Sequence, residues 1–296
     1  MTDLHTHSSA SDGTLEPAAL IKYACGRGIK TLALTDHDTT KGLEEAQAES
    51  LKAGITFVPG IEISVQWPTG EFHLLGLGLR HVSRELSEII SFLREERLNR
   101  NLTMAQRLRE NGADITFEEV REKFNTDNIG RPHFAQVMLD KGIISHRQAA
   151  FDKYFAKGRP CYVDRRGADL HDAVEAIKSS GGIPVQAHPL SIYVSWGKME
   201  ETMRAIKDFG VMGLEAWHPA VRISEAERLE ELAHSLGMIA TGGSDFHGDS
   251  VRADRHIGFT AGGLRVPEKV WTEDLGPLLD RWHEDGSLTF TSSSNA

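Results

Sequence analysis

Along most of the chain, short apolar runs alternate with stretches of helical periodicity. The runs Ile29–Thr35, Ile55–Val58, Ile61–Val65 and Phe72–Leu77 read as strands, and a further short strand is expected over Asp3–His7. Between them a helix opens at Glu16-Pro17, where proline suits a first turn, and closes at Gly26 and Gly28. Another runs from Lys41 to Ala53 and stops at Gly54. From about Ser83 to Leu170 the rhythm changes: helical patterns follow one another (Glu85–Asn111, Phe117–Phe124, Pro132–Lys141) without a good strand. The alternation then resumes, with helices over Asp169–Ser180, Met199–Phe209 and Ser224–Leu236 and strands over Ile183–Ala187, Met212–Glu215 and Met238–Thr241. Repeated βα units predict a parallel sheet, open or closed into a barrel. The pattern divides the chain into a discontinuous α/β domain, residues 1–82 and 171–290, and an inserted helical subdomain, residues 83–170. The small, polar tail 291–296 is expected to be disordered.

The length of 296 residues and a hydrophobic content of 40% suit one large α/β domain with an insertion. A net charge of −10 speaks against a surface that tracks long nucleic acid. It leaves room for a local anion site, because bound cations reverse the local field. Two cysteines, Cys25 and Cys161, far apart, argue against a disulfide framework and against a cysteine-rich zinc site. With no leader pattern and no apolar run able to span a bilayer, a cytoplasmic protein without membrane contact is expected. Fourteen histidines are the compositional anomaly, and histidine is the commonest metal ligand.

Their positions are not random. His5 and His7 are two apart on the first strand, so both point to one face. His37 follows the strand ending at Thr35, Glu62 lies in Gly-Ile-Glu-Ile-Ser, and His73 lies in Phe-His-Leu-Leu-Gly. His188 ends a strand in Val-Gln-Ala-His-Pro; Glu215 and His218 follow in Gly-Leu-Glu-Ala-Trp-His-Pro; Asp245 and His247 close Gly-Gly-Ser-Asp-Phe-His-Gly. Taken singly, each has an ordinary explanation, such as a surface strand, a helix cap or a packed core histidine. Jointly they sit at or just past the C-terminal ends of strands, where α/β sheets and barrels build their sites. Mixed imidazole and carboxylate ligands suit Mn, Fe, Zn or Co, and there are more than one ion needs, which implies two or three divalent ions.

These segments, His5-Thr-His7 with Asp12, Thr-Asp-His37-Asp, Gly-Ile-Glu62, Ala-His188-Pro and Gly-Ser-Asp245-Phe-His247, resemble the PHP (polymerase and histidinol phosphatase) family of metal-dependent phosphoesterases. The resemblance runs to about Gly258 and implies a distorted (β/α)7 barrel with metals at the C-terminal strand ends. It further implies three metal positions: His5, His7, Glu62 and Asp245; Glu62 again with His73 and His188; and Asp12, His37 and His247. Asp12 departs from the histidine found in many relatives, and a carboxylate there favours Mn or Mg. The helical insertion with Gly130-Arg131-Pro132-His133-Phe134 looks like the branch that dephosphorylates nucleoside 3′,5′-bisphosphates, some members of which also trim short RNA from the 5′ end. In that branch the segment contacts substrate phosphate, which points to Arg131 and His133.

The expected reaction is hydrolysis of a phosphomonoester by a metal-bound hydroxide, with manganese the first choice of ion and Fe, Zn or Co the others. His218 is a candidate acid or phosphate ligand, Asp36 and Asp38 are candidates for orienting metal histidines, and the expected partner is a small phosphorylated nucleotide or a short 5′-phosphorylated oligonucleotide. Three other readings stand beside this one. A histidinol-phosphate phosphatase of the same family would differ only in the leaving group. An amidohydrolase also carries H-x-H on its first strand, but this chain lacks a strand-end lysine to match. A non-catalytic metal-binding module would be expected to have lost ligands that are all present here.

Overall fold

A computed structural model describes residues 1–124, 129–251, 254–283 and 286–292. The chain forms two compact units, Met1–Ile90 with Gly167–Ala296, and Ser91–Arg166. In the first, seven strands follow one another around a sheet in chain order: β1 (Thr2–Asp3), β2 (Thr31–Leu34), β3 (Thr56–Val65), β4 (Phe72–Leu77), β5 (Ile183–Gln186), β6 (Gly213–Trp217) and β7 (Ile239–Gly242). The segment after β1 carries the sheet round to its other edge. Thr6 bridges to Phe246, Leu4 N–H donates to Gly242 O (3.1 Å), His7 N–H to Phe246 O (2.9 Å) and Asp245 N–H to His5 O (2.9 Å). The result is a nearly closed, distorted barrel with helices α1 (Pro17–Gly26), α2 (Leu43–Ala53), α7 (Leu170–Ser179), α8 (Trp196–Asp208), α9 (Ile223–Ser235) and α10 (Gly276–Trp282) in the same unit. The expected first strand is shorter than Asp3–His7, because after Asp3 the chain is held by these single contacts rather than by a ladder.

The two strands expected at Ile55–Val58 and Ile61–Val65 are one. Residues 56–59 pair parallel with β2, and residues 60–65 pair antiparallel with β4. The change of partner falls at Pro59-Gly60, and a Cβ at Gly60 would meet Gly76 O at 2.9 Å and Leu34 O at 3.1 Å. Only glycine lets the three backbones approach there. Strand β4 is antiparallel to both neighbours, which is the source of the distortion.

The barrel core is aliphatic: Leu32, Leu34, Val58, Ile61, Ile63, Leu74, Leu75, Val185, Leu214 and Ala240 are fully buried. Helix α7 shows how the outer layer docks. Asp169 caps it by accepting from His171 and Asp172 N–H, and its Leu170, Ala173, Val174, Ala176 and Ile177 stripe is buried. Asp3 fastens the closing seam. Its Oδ1 accepts from Ser244 N–H (2.9 Å) and His5 N–H (3.3 Å), and its Oδ2 from Ser244 Oγ (2.6 Å) and Gly258 N–H (2.7 Å). Burial pushes this carboxyl up to about 6, against the pull of its donors.

The second unit contains most of α3 (Arg84–Glu110) with α4 (Phe117–Phe124), α5 (Arg131–Asp140) and the short α6 (Arg147–Ala150), which runs on into a wider turn over Phe151–Phe155. It has its own core, including Met104, Leu108, Ile115, Val120, Phe134, Met138 and Phe155. Residues 83–90 and 167–170, read with the insertion from the sequence, cluster with the barrel unit. Cys25 and Cys161 are both free. At the tail, Thr291 N–H donates to Arg80 O (2.9 Å) and Ser292 N–H to Glu44 Oε1 (3.1 Å), so these two residues are held rather than loose. Residues 293–296 lie outside the described residues. No described helix is long and apolar enough to cross a membrane.

Replacing Asp3 by Ala strands four buried donors at the seam. We expect unfolding free energy to fall by about 3–5 kcal/mol, read as a lower urea midpoint with an unchanged slope.

Candidate metal centre

The barrel rim gathers the ligand-type residues because each lies where a strand reaches that rim. His5 and His7 flank Thr6 in the closing segment, and His37 follows β2 and bridges to Glu62. Glu62 is inside β3 rather than past its end, because β3 runs on beyond β2 to pair with β4. His73 stands near the start of β4, and an antiparallel strand begins where its neighbours end. His188 follows β5, His218 follows β6, and Asp245 and His247 follow β7. Among non-glycine residues described, only Asp38, His188, Tyr193 and Asp245 have left-handed backbone, so the chain turns abruptly at two of the ligand candidates.

Glu62 is fully buried at the centre. Its Oε2 lies 3.4 Å from His5 Nε2, 3.3 Å from His7 Nε2 and 2.8 Å from His37 Nδ1. Its Oε1 lies 2.8 Å from His73 Nδ1 and 3.1 Å from His188 Nε2. Asp245 Oδ1 is 3.6 Å from His5 Nε2 and 3.3 Å from His7 Nε2, and those two nitrogens are 3.1 Å apart. A tetrahedral ion with bonds of about 2.0–2.2 Å separates its ligands by about 3.3–3.6 Å. His5, His7 and Asp245 therefore fit a metal in donor type and in spacing, with Glu62 Oε2 beside both imidazoles. Glu62 Oε2 and His7 Nδ1 are buried without a hydrogen-bond partner, which a folded protein tolerates where another ligand is meant to be met. On the other side, His7, Asp12, His37 and His247 form a second four-residue group, with Asp12 Oδ1 3.2 Å from His247 Nε2 and Asp12 Oδ2 3.9 Å from His37 Nε2. His37 thus faces both Glu62 and Asp12.

The electrostatics are those of a cation cradle. Burial alone would raise Glu62, Asp245 and Asp12, yet the surrounding histidines hold all three well below the usual carboxylate range. Burial, with His247 and His37 close by, pushes His7 down to about 3, so its ring is neutral. His247 is drawn up to about 9: burial opposes this, and Asp12 and Asp245 outweigh it.

A further layer fixes which ring nitrogen faces inward. Glu215 Oε1 takes His5 Nδ1–H at 2.8 Å while its Oε2 accepts from His188 N–H at 2.7 Å. His188 Nδ1 meets Ser191 Oγ at 2.9 Å, and His247 Nδ1–H donates to Asp245 O at 2.9 Å. His218 is buried; its Nδ1 accepts from Ala220 N–H (3.0 Å), which leaves the proton of the neutral ring on Nε2, 3.4 Å from Asp245 Oδ2. Burial lowers its pKa, outweighing the pull of Glu215 and Asp245. Asp36 and Asp38, expected to orient metal histidines, both brace loops of the rim. Asp36 accepts from Ser8 N–H (2.8 Å), Ser8 Oγ (2.6 Å) and Ser11 Oγ (2.5 Å), so it shapes the loop bearing Asp12. Asp38 accepts from Ser64 N–H (3.0 Å) and Oγ (3.2 Å), tying the His37 loop to β3. A carboxylate beside a histidine in sequence points elsewhere when the backbone turns between them.

Sequence reasoning missed Arg255. It is 5% exposed, donates through Nη1 to Asp245 Oδ2, and lies 3.3 Å from His218 Nε2. A buried arginine is uncommon, and its only signal was its place shortly after the Asp245–His247 motif. Arg131 and His133 belong to the second unit. There Arg131 donates to Val163 O (3.1 Å) and covers the Tyr162 ring at 5.1 Å, and His133 Nδ1 accepts from Gly130 N–H (3.0 Å) at the start of α5. A group of Glu230, His234 and Asp274 lies apart from the rim. Its acceptors are already used by Lys269, Trp217 and Ala240 N–H.

Comparison with known proteins agrees with this geometry. A sequence profile for the PHP domain matches residues 3–161. The chain is similar to a 3′,5′-nucleoside bisphosphate phosphatase of Chromobacterium violaceum, 34% identical over 92% of this chain and 95% of that one. It is also similar to a 5′-3′ exoribonuclease of Haemophilus influenzae, 29% identical over 83% and 89% of the two chains. Among solved structures, an amidohydrolase from Chromobacterium violaceum with bound sulfate and no metal superimposes with a TM-score of 0.80 at 33% identity, covering 95% of this chain and 96% of that one.

Glu215→Gln keeps the shape behind His5 and removes the charge. Metal affinity, followed by titration of the metal-free protein, is expected to drop about 10- to 100-fold while the far-UV circular dichroism stays the same.

Proposed function

The chain belongs to the PHP family of metal-dependent phosphoesterases, and from that footing we propose that it removes the 3′-phosphate of nucleoside 3′,5′-bisphosphates. The observation that carries the proposal is the set of carboxylates and imidazoles meeting at Glu62 and Asp245. The likeness to the Chromobacterium violaceum phosphatase over nearly the whole of both chains supports the choice of substrate.

In this proposal His5, His7, Glu62 and Asp245 hold one divalent ion, Glu62, His73 and His188 a second, and Asp12, His37 and His247 a third, with manganese the first choice. When bound, such ions neutralise phosphoryl oxygens and make water a nucleophile near neutral pH, for a reaction whose uncatalysed rate is among the slowest known. The chain's own groups then supply orientation. Glu215 keeps His5 turned inward, and Asp36 holds the Ser8–Ser11 turn that presents Asp12. His218, neutral with its proton on Nε2, donates a hydrogen bond to a phosphoryl oxygen, which suits it better than the role of acid. Arg255 donates to Asp245 Oδ2, which leaves Oδ1 turned toward His5 and His7. Arg131 binds a phosphate of the substrate, since a guanidinium matches phosphate with two parallel donors; His133 assists it.

The likeness to the Haemophilus influenzae exoribonuclease favours a second reading, trimming of short 5′-phosphorylated RNA. Phosphate release from adenosine 3′,5′-bisphosphate and from histidinol phosphate, and mononucleotide release from a short 5′-phosphorylated oligonucleotide, compared at equal enzyme, separate the readings. The bisphosphate is expected to be the fastest by kcat/KM, and a preference for either of the others overturns the assignment.

His37→Ala and Asp245→Asn are each expected to cut phosphate release by at least about a thousandfold, on the order of a lost metal function, with an unaltered far-UV spectrum. For Arg131→Ala the expected change is a KM raised about tenfold or more with kcat little affected, as for loss of a charged hydrogen bond made equally in the bound and transition states.

A further inference from the structure

Of the four non-glycine residues with left-handed backbone among those described, Asp38, His188 and Asp245 belong to the metal cluster or adjoin it. The fourth is Tyr193, with φ 54° and 80% of its surface exposed. A bulky side chain in that region is an outlier that its surroundings must enforce, and the surroundings here do so. The stretch from His188 runs through one tight turn, Pro189–Ile192, to Tyr193. The hairpin between β3 and β4 clamps this turn: Glu71 N–H donates to Ser191 O (2.9 Å), Ser191 Oγ to Glu71 O (2.6 Å) and Thr69 Oγ1 to Ile192 O (2.7 Å). Gly70 passes so close to Ser191 that a Cβ there would lie 2.1 Å from its carbonyl oxygen. The same Ser191 Oγ touches His188 Nδ1. One braced segment thus carries a ligand candidate at one end and a solvent-exposed aromatic ring at the other. The two ends are five positions apart in the chain, with a single tight turn between them.

An exposed tyrosine held this firmly has no apolar core to join, and a flat ring at the rim of a phosphate site is what a nucleobase stacks on. We propose that Tyr193 is the platform for the base of the substrate, a specificity residue that selects nucleotides over other phosphomonoesters. The proposal rests on the reading of the substrate as a nucleotide. Every base has a π-face, so the platform accepts all of them and discriminates against esters without a base.

The test uses the full-length protein with manganese. KM is measured for adenosine 3′,5′-bisphosphate and for ribose 3,5-bisphosphate, which keeps both phosphates and has no base, in the wild type, Tyr193→Ala and Tyr193→Phe. Loss of the ring is expected to shrink the ratio of the two KM values about 5- to 100-fold, the usual worth of one stacked base, and phenylalanine is expected to restore it. A ratio that Tyr193→Ala leaves unchanged, or that phenylalanine does not restore, overturns the platform while leaving the phosphatase reading intact. A wild type that hydrolyses ribose 3,5-bisphosphate and not the nucleotide overturns both.

Discussion

A single buried carboxylate organises this molecule's rim. Glu62 faces five histidines drawn from four separate stretches of chain. A lone carboxylate in so dry a place would take up a proton, since burying a charge without partners costs several kcal/mol. The imidazoles prevent that, and the cluster in turn exists only while each of its loops is held in place. Asp3, Asp36, Asp38 and Glu215 do the holding, by accepting backbone N–H groups, serine hydroxyls and, at His5, a ring N–H. The polar interior of the rim is therefore layered: an inner set of donors suited to cations, and an outer set of carboxylates fully occupied with protein hydrogen bonds.

The irregularity of the barrel serves the same end. In a uniformly parallel barrel each strand offers the rim only its last residue and the loop beyond. Here β3 overshoots β2, so Glu62 reaches the centre from within a strand, and the reversed β4 delivers His73 near its first residue. Gly60 and Pro59 are the local means of that overshoot, and a larger residue at 60 would press on two carbonyl oxygens.

Much of this was legible in the sequence because it depends on local pattern. Hydrophobic alternation located the strands and most helices to within a few residues, and the recurrence of His, Asp and Glu at strand ends marked the rim. What escaped depends on contacts between distant segments. Nothing local in Asp36 says that it turns toward Ser8 and Ser11 rather than a neighbouring imidazole. Arg255 stands in a polar loop and looks like any solvated arginine until the fold lays it on Asp245. Glu215 was seen at a strand end, but its pairing with His5, more than two hundred residues away, is a product of closure. The joining of two expected strands at Pro59 was hidden because proline usually ends a strand; here it sits at the change of partner, where the missing N–H is not required by the antiparallel ladder that begins at Gly60.

The closing seam has a consequence for the order of events in synthesis. His5 and His7 stand more than 230 residues before Asp245 and His247, which face them. The seam is zipped by Asp3 against Ser244 and Gly258, so the centre cannot assemble until the stretch from Asp3 to Gly258 is present, however well the intervening helices have folded. The centre is therefore withheld until both sides of the seam exist, and a product that stops before Asp245 lacks the closing side of the cluster.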